Sequence, residues 1–122
     1  MLERGEVWLA HLNPRRGIEV GKTRPVLIVQ AQALINAGHP STIIVPLTTN
    51  LIGNAEPLRI RVLATKSLRH DSDLLIDQIR AIDNRRLLGA PLAQLGDELM
   101  GPVAGALREV RNSTKLKQAS GL

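Results

Sequence analysis

Residues 22–30 constrain the fold more than any other part of the chain. They contain the uninterrupted apolar run 26–29, which is rich in β-branched residues and at that length predicts a buried central strand rather than a helix. Pro25 stands where this strand begins, so its missing N–H does not break the ladder, and it biases Arg24 toward an extended backbone. The sequence therefore predicts a guanidinium held at the mouth of a rigid strand, beside the basic loop of residues 13–21.

Charge and composition limit what such a site can serve. The 122 residues suffice for one domain with its own core, and 16 Lys and Arg against 11 Asp and Glu give a formal charge of +5. That excess favours an anionic partner, either nucleic acid or an acidic protein, although many small basic proteins bind no nucleic acid. The absence of cysteine excludes a disulfide framework, a thiolate nucleophile and a cysteine-ligated zinc site.

Further exclusions come from the termini and the histidines. The amino terminus has no apolar segment of the kind that signal peptides carry, and no apolar run approaches the length of a membrane span. We therefore expect a cytoplasmic protein with no membrane partner. His11, His39 and His70 share no metal-ligand spacing, so neither a metal nor another cofactor is expected, and these histidines are interpreted as solvated groups, like the polar residues 71–73.

Short β-prone segments separated by turns make up most of the chain. Apolar patterning predicts strands at 6–12, 41–49, 57–63 and 74–83, the last being one strand or two. Pro46 argues that its strand lies at an edge or contains a bulge. Arg59 and Arg61 alternate with apolar residues and give the third of these strands a basic outer face. Ile76, Ala81 and Ile82 are expected in the core.

The remaining elements are brief until the carboxyl end, where one clear helix is predicted. From about Asp97, Leu and Val recur every three or four residues, and acidic residues suit the positive end of a helix. Pro102 predicts a kink or a late start. The polar tail 113–122 should fray, which leaves residues 1–112 as the folded domain. Without long helical crossovers, the fold class is α+β but mainly β: an antiparallel sheet curled into a small barrel with a C-terminal helix.

Five short motifs occur in order along residues 4–110. They are RGEVW at 4–8, NP at 13–14 with Gly17 and Glu19, TRPVLIV at 23–29, VPLTT at 45–49 and DQIRAID at 77–83. Each motif alone is weak evidence, but together and in this order they resemble the MazF/PemK toxins. The resemblance implies an SH3-like barrel of the CcdB/MazF/Kid type, a homodimer, and a sequence-specific endoribonuclease of a type II toxin–antitoxin pair that cleaves single-stranded mRNA and is neutralised by an acidic antitoxin.

The resemblance also implies a catalytic pair, Arg24 and Thr48. Some family members instead use a His in the first loop with an Arg and an Asp on a later strand. The corresponding positions here are Ile18, Leu75 and Asp77, so only the Asp is retained and that mechanism is not expected to operate intact.

The chemistry of RNA cleavage without a metal agrees with the first pair. Attack by the ribose 2′-OH creates a phosphorane with extra negative charge, to which Arg24 can give a bidentate contact and Thr48 a hydroxyl donor. Because the pKa of arginine exceeds about 12, Glu19 or Asp77 is the better candidate for the base or for a positioning group. Further RNA-binding residues are expected around the first loop and the strand ends: Arg15, Arg16, Lys22, Thr49, Gln78 and Arg80.

Simpler interpretations of these residues stay open. Arg24 would serve equally well in an ion pair with Asp77 or Glu19 that fastens the loop, and Thr48 in capping a turn. Trp8, the only aromatic residue, is expected to anchor the core or an interface rather than to stack on bases. Two other functions also remain: a gyrase-inhibiting, CcdB-like toxin of the same fold, and a non-catalytic barrel that binds nucleic acid through its basic face.

Overall fold

A computed structural model describes residues 2–112 of the chain, so the predicted tail lies outside the described residues. The strands are β1 (Glu6–His11), β2 (Thr23–Ile28), β3 (Ser41–Thr48), β4 (Arg59–Val62), β5 (Ser72–Leu75), β6 (Arg80–Asp83) and β7 (Leu87–Gln94). The helices are α1 (Gln32–Asn36) and α2 (Asp97–Asn112), with short 3-10 turns at Ile76–Gln78 and Asn84–Arg86. No helix within this part of the chain is both long and apolar enough to cross a membrane.

All seven strands belong to one antiparallel sheet. Its order is β4-β5-β3-β2-β1-β7, with β6 also paired to β3. Strand β3 is long enough to contact β6 through its first half and β5 through its last residues, while β2 lies along its other side. The two outermost strands, β4 and β7, do not pair with each other in the part of the chain that the structure describes. The sheet is therefore curled but open. This agrees with the predicted mainly β, SH3-like class with a C-terminal helix.

Strands β1 and β2 are buried on both faces. Val7 and Leu27 point into one apolar cluster, which α2 covers with Val103, whereas their neighbours Trp8 and Val26 point into a second cluster on the opposite face. A strand covered on both faces needs apolar residues at successive positions, which explains the uninterrupted run in β2. The prediction of a buried central strand is confirmed.

The position of Pro46 differs from the prediction of an edge or bulge. This residue is buried in β3, opposite Val26 of β2. On the other side of β3, pairing with β6 ends at Ile44 and pairing with β5 begins at Leu47. Pro46 thus lies in the gap where the outer neighbour of β3 changes, a position at which a missing N–H is tolerated inside a central strand.

Two details of the carboxyl-terminal half also differ. The interval 74–83 is divided by the turn at Ile76–Gln78, which buries Ile76 and Ile82 as predicted but leaves Ala81 exposed, so its assignment to the core was wrong. Helix α2 begins at Asp97 and contains Pro102, so the late start is not observed. Packing of the apolar face of α2 against the first cluster offsets the hydrogen bond that the proline removes.

The sequence predicts that the polar residues 71–73 are solvated, but Asp73 is buried and holds neighbouring elements together. Asp73 is 1 % exposed. Its carboxylate accepts from Arg61 Nε at 2.6 Å, from the Ile52 N–H at 2.9 Å and from Arg59 at 3.5 Å. Burial alone would raise the pKa of Asp73, but the hydrogen bonds from Arg61, Ile52 and Arg59 outweigh it and hold the pKa below the ordinary 3.8. Asp73 therefore fastens the β3–β4 loop and offsets part of the positive charge predicted for the outer face of β4.

Replacing Asp73 with Ala should lower the free energy of unfolding by about 2 kcal/mol at neutral pH, since it leaves the Ile52 N–H and the Arg61 guanidinium without their acceptor. Because the folded-state pKa is depressed, this contribution is complete well above pH 3.8 and is lost as the pH falls through the folded value. Urea unfolding at pH 7 and pH 3 checks both points.

Asp83→Ala is the matched control. Within residues 2–112 Asp83 pairs with Arg85 alone, and the side chains of Asp83 and Arg85 are 42 % and 90 % exposed. The hydrogen bonds of Arg85 lower the pKa of Asp83 to about 2, but solvent screens this pair, so its loss should leave the stability nearly unchanged. Equal effects of the two substitutions would contradict a special role for Asp73.

Candidate active site

The ends of β2 and β3 bring together the two residues predicted to be catalytic. Three residue pairs join these strands: Val26 with Pro46, Leu27 with Val45, and Ile28 with Ile44. The same register, continued by two residues beyond the ladder, sets Arg24 opposite Thr48. A groove of about 310 Å³ opens there, and we call it the central groove; it is lined by Lys22, Thr23, Arg24, Pro25, Leu47, Thr48, Thr49 and Ser72.

Arg24 is fixed through one atom of its guanidinium. Its Nε donates to the carbonyl oxygen of Gly21 at 2.9 Å, and the side chain is half-buried. A Cβ at Gly21 would lie 2.5 Å from the Asn13 side-chain oxygen, so a larger residue would displace the side chain that holds the Lys22 N–H. Among the described residues Arg24 forms no ion pair, so the alternative pairing with Asp77 or Glu19 is not observed. Its terminal nitrogens remain available to a ligand in the groove.

Thr48 caps a turn, as the simpler interpretation predicted, and still retains a donor. Its Oγ accepts from the N–H of Asn50 at 3.1 Å at the start of the β3–β4 loop. The residue is 8 % exposed and lines the groove. An oxygen that accepts an N–H keeps its own O–H to donate. The capping bond therefore orients this hydroxyl rather than occupying its proton.

The remaining polar lining of the central groove is cationic or hydroxylic. Lys22 adds a second positive charge; its backbone is in the left-handed region, at φ 63°, and its N–H is held by the Asn13 side chain at 2.8 Å. Thr23, Thr49 and Ser72 supply hydroxyl groups. Divalent metal ions prefer carboxylate oxygens, whereas a phosphate group prefers guanidinium, ammonium and hydroxyl donors. The lining is that of an anion site.

Three predicted residues lie together outside this groove, where they brace the first loop. Glu19 lies 3.7 Å from a terminal nitrogen of Arg80 and accepts from the N–H of Arg16 at 3.1 Å. The Gln78 side chain accepts from the N–H of Val20 at 3.0 Å. The loop is therefore hydrogen-bonded to the turn through Gln78 and ion-paired with β6 through Arg80. These contacts assign Glu19, Gln78 and Arg80 a loop-holding role in this state.

The other predicted residues are solvent-facing. Arg15 and Arg16 are exposed on the first loop, and Asp77 is exposed on the 3-10 turn before β6. None of the three lines the central groove. The structure thus brings Arg24, Thr48, Lys22 and Thr49 together, and leaves both candidate bases away from them.

Sequence reasoning missed Thr23 and Ser72. Thr23 lies opposite His11 on β1, whose ring nitrogen is 3.4 Å from its hydroxyl. Ser72 is 2 % exposed and donates to the carbonyl of His70 at 3.1 Å. Thr23 could have been found from its place beside Arg24 in the TRP motif. No local signal separates Ser72 from a loop residue, because its burial follows from the pairing of β5 with β4.

The comparisons with known proteins agree with one another. A family model described as a PemK-like, MazF-like toxin of type II toxin-antitoxin system matches residues 3–111. Endoribonuclease EndoA of Bacillus subtilis is 34% identical over 109 residues, which are 88% of this chain and 92% of that protein.

Solved structures share the fold. MazF from Deinococcus radiodurans matches with a TM-score of 0.75 and 22% identity over 90% of this chain and 96% of that one. An endoribonuclease in complex with its cognate antitoxin, from a mycobacterial species, matches with a TM-score of 0.72 and 21% identity over 93% and 97% of the two chains. The family model and the curated relative confirm the family that the five motifs predicted: the chain belongs to the PemK-like, MazF-like toxins of type II toxin–antitoxin systems.

Proposed function

We propose that this toxin is a metal-independent endoribonuclease that cleaves single-stranded mRNA at short sequence motifs in the cytoplasm. Membership of the toxin family and similarity to an endoribonuclease support the reaction class. The observation that carries the mechanism is the central groove, which Arg24 and Thr48 both line at the ends of two paired strands. A guanidinium and a hydroxyl so arranged suit one phosphate group between them.

The proposed reaction uses the 2′-OH of the substrate as nucleophile. Its oxygen bonds to the adjacent phosphorus, the bond from phosphorus to the 5′ oxygen breaks, and the products are a 2′,3′-cyclic phosphate and a 5′-hydroxyl. The 2′-OH loses its proton to a base, and the departing 5′ oxygen gains one. Intramolecular attack benefits from proximity, so the main task of the protein is to stabilise the charge of the phosphorane. Arg24, Thr48 and Lys22 supply that stabilisation.

Glu19 and Asp77 remain the proposed bases or positioning groups. Glu19 lies on the loop that ends at the central groove, but it is engaged by Arg80, so a direct proton transfer requires the loop to rearrange around bound RNA. Asp77 is exposed and needs no partner to be displaced. The dependence of the cleavage rate on pH distinguishes the two candidates. On the acid side of the profile the rate falls as the base becomes protonated, and removing the base abolishes that fall. Only one of the two variants, Glu19→Gln or Asp77→Asn, should therefore lose it.

The proposed RNA-binding residues fall into two groups. Lys22 and Thr49 act in the central groove itself. Arg15 and Arg16, which are exposed on the first loop, supply phosphate contacts. Gln78 and Arg80 hold that loop in position. Phosphate contacts position an RNA without selecting its sequence, so the loop mainly sets affinity.

We also propose a two-fold homodimer as the active unit. Large apolar side chains remain exposed, including Ile43, Ile79 and Leu88, and a second copy of the chain could bury them. A symmetric dimer would use one patch twice. Light scattering at micromolar concentration should give twice the chain mass of 13.3 kDa. A fully active monomer would contradict this proposal.

The proposed antitoxin is an acidic, partly disordered partner that occupies the central groove and the first loop. Solved family members in complex with their antitoxins support a partner of this class. A charge of +5 accelerates such an encounter at low salt, and a segment that folds on binding can cover a long surface. Arg24→Glu should therefore weaken antitoxin binding, measured by calorimetry. Simultaneous binding of RNA and antitoxin to the same groove would refute the shared site.

Cleavage itself should persist in EDTA and should stop when a single 2′-deoxy sugar replaces the ribose before the cut. Arg24→Ala and Thr48→Ala should each lower the cleavage rate by on the order of 10², because each removes one donor to a transition-state oxyanion. Single-turnover assays on a purified long RNA without ribosomes, followed by end-group analysis, measure these effects.

Arg108→Ala on the exposed side of α2 is the matched arginine control and should cleave at the normal rate. Arg86 also lies outside the central groove but cannot serve as this control. Its guanidinium donates to the carbonyls of His11 and Asn13, at 3.1 and 2.6 Å, and so supports the first loop. Efficient cutting of the 2′-deoxy substrate would overturn the mechanism, since the nucleophile could not then be the 2′-OH.

A further inference from the structure

A second groove adjoins the central groove, and we propose that it binds the next nucleotide of the RNA. This loop groove has a volume of about 460 Å³ and is lined by Thr49, Leu51, Ala64, Arg69, His70 and Asp71. Arg69 would contact a backbone phosphate, and the His70 ring would stack on the base. The inference rests on the proposed function, because it concerns the same RNA substrate.

The two grooves adjoin each other. Thr49 lines both of them, and Ser72 of the central groove directly follows Asp71 of the loop groove. A polymer whose phosphate sits between Arg24 and Thr48 has to leave the central groove on each side of the cut. The loop groove is a cavity that such a strand meets immediately on one side.

The segment of residues 63–71, between β4 and β5, is fastened before any ligand binds. Leu68 is 4 % exposed and packs in the first apolar cluster. The Thr65 N–H donates to the Leu68 carbonyl at 2.8 Å, and the Leu68 N–H donates to the Thr65 hydroxyl at 3.0 Å. The Ala64 N–H donates to an Asp71 carboxylate oxygen at 2.7 Å. A segment tied at both ends and in the middle presents its outward side chains with little ordering cost on binding.

Arg69 and His70 are side chains of this segment that line the loop groove. Both are exposed, and the Ser72 hydroxyl holds the carbonyl of His70 at 3.1 Å. Arg69 forms no ion pair within residues 2–112, whereas Arg59 and Arg61 of the adjacent β4 are paired with Asp73. Arg69 is therefore a cation of the loop groove that an RNA phosphate can recruit without breaking an existing pair.

Composition restricts exposed stacking rings to the histidines, and His70 is the histidine that lines the loop groove. Phe and Tyr are absent, and Trp8 is 8 % exposed with its indole N–H bonded to Glu6 at 3.1 Å. Unpaired RNA bases stack on aromatic rings, including His, or on guanidinium planes. His39 precedes β3 at the end opposite Thr48, roughly 25 Å away along the strand. The loop groove thus combines a stacking ring and a phosphate contact next to the proposed cut.

The test is a thermodynamic cycle between protein and RNA. An oligonucleotide is centred on the cut mapped in a long RNA, or on the tightest-binding sequence if nothing is cut, and carries one 2′-deoxy sugar at its centre. It is then shortened by single nucleotides from each end, and fluorescence anisotropy gives the affinity of each length. His70→Ala should bind the full oligonucleotide about tenfold more weakly, and should lose nothing more when the stacked nucleotide is removed.

Two further variants sharpen the result. Arg69→Ala should weaken binding and reduce the slope of log affinity against log salt by about one. His39→Ala, a matched exposed histidine outside both grooves, should match the unsubstituted protein at every length. Both loop residues are exposed, so the variants should keep their fold, which thermal unfolding confirms.

The outcomes separate the two proposals. Cleavage of long RNA with independent, multiplicative effects of His70→Ala and shortening would overturn the loop groove and leave the nuclease intact. Coupling between His70 and one nucleotide without any cleavage would uphold the loop groove and refute the nuclease. A protein that binds none of the oligonucleotides and cleaves no long RNA would refute both.

Discussion

The register between β2 and β3 is the constraint on which the site depends. Three ladder pairs fix how the strands lie against each other, and the same register sets Arg24 across from Thr48. Because β2 is buried on both faces, a slip by one residue would exchange the two apolar clusters and move every side chain to the wrong side. Such a slip would therefore cost the packing energy of the whole core. Two residues far apart in sequence are thereby held in one groove by packing rather than by a bond between them.

The loops on either side of the central groove are fastened by separate sets of contacts. On one side, the first loop is tied by the bond from Arg24 to Gly21 and by the contact of Gln78 with the backbone. On the other side, buried Asp73 holds the β3–β4 loop through Ile52 and two arginines of β4. The consequence is electrostatic as well as structural. Asp73 pairs with both arginines of β4 and offsets part of their positive charge, while Lys22 and Arg24 place two cations in the central groove.

The sequence predicted those parts of the structure that local pattern controls. The apolar run of β2 and the family motifs identified Arg24 and Thr48, and the structure brings both into one groove. It could not reveal Asp73, because a polar residue at the start of a strand looks like a loop residue until its partners on β4 are known. Pro46 was misassigned for a related reason: the change of neighbour along β3 is a property of the folded sheet. Glu19 was proposed as a base from chemistry alone, and its pairing with Arg80 is likewise visible only in three dimensions.

The central claim is that Arg24 and Thr48 act together on one phosphate, and a double-substitution cycle tests it most directly. Single-turnover cleavage rates would be measured for the unsubstituted protein, Arg24→Ala, Thr48→Ala and the variant that combines both. If the two side chains stabilise the same transition state as a unit, the combined variant should be little slower than the slower single variant. If the two losses multiply, the residues act independently, and joint stabilisation across the groove is contradicted.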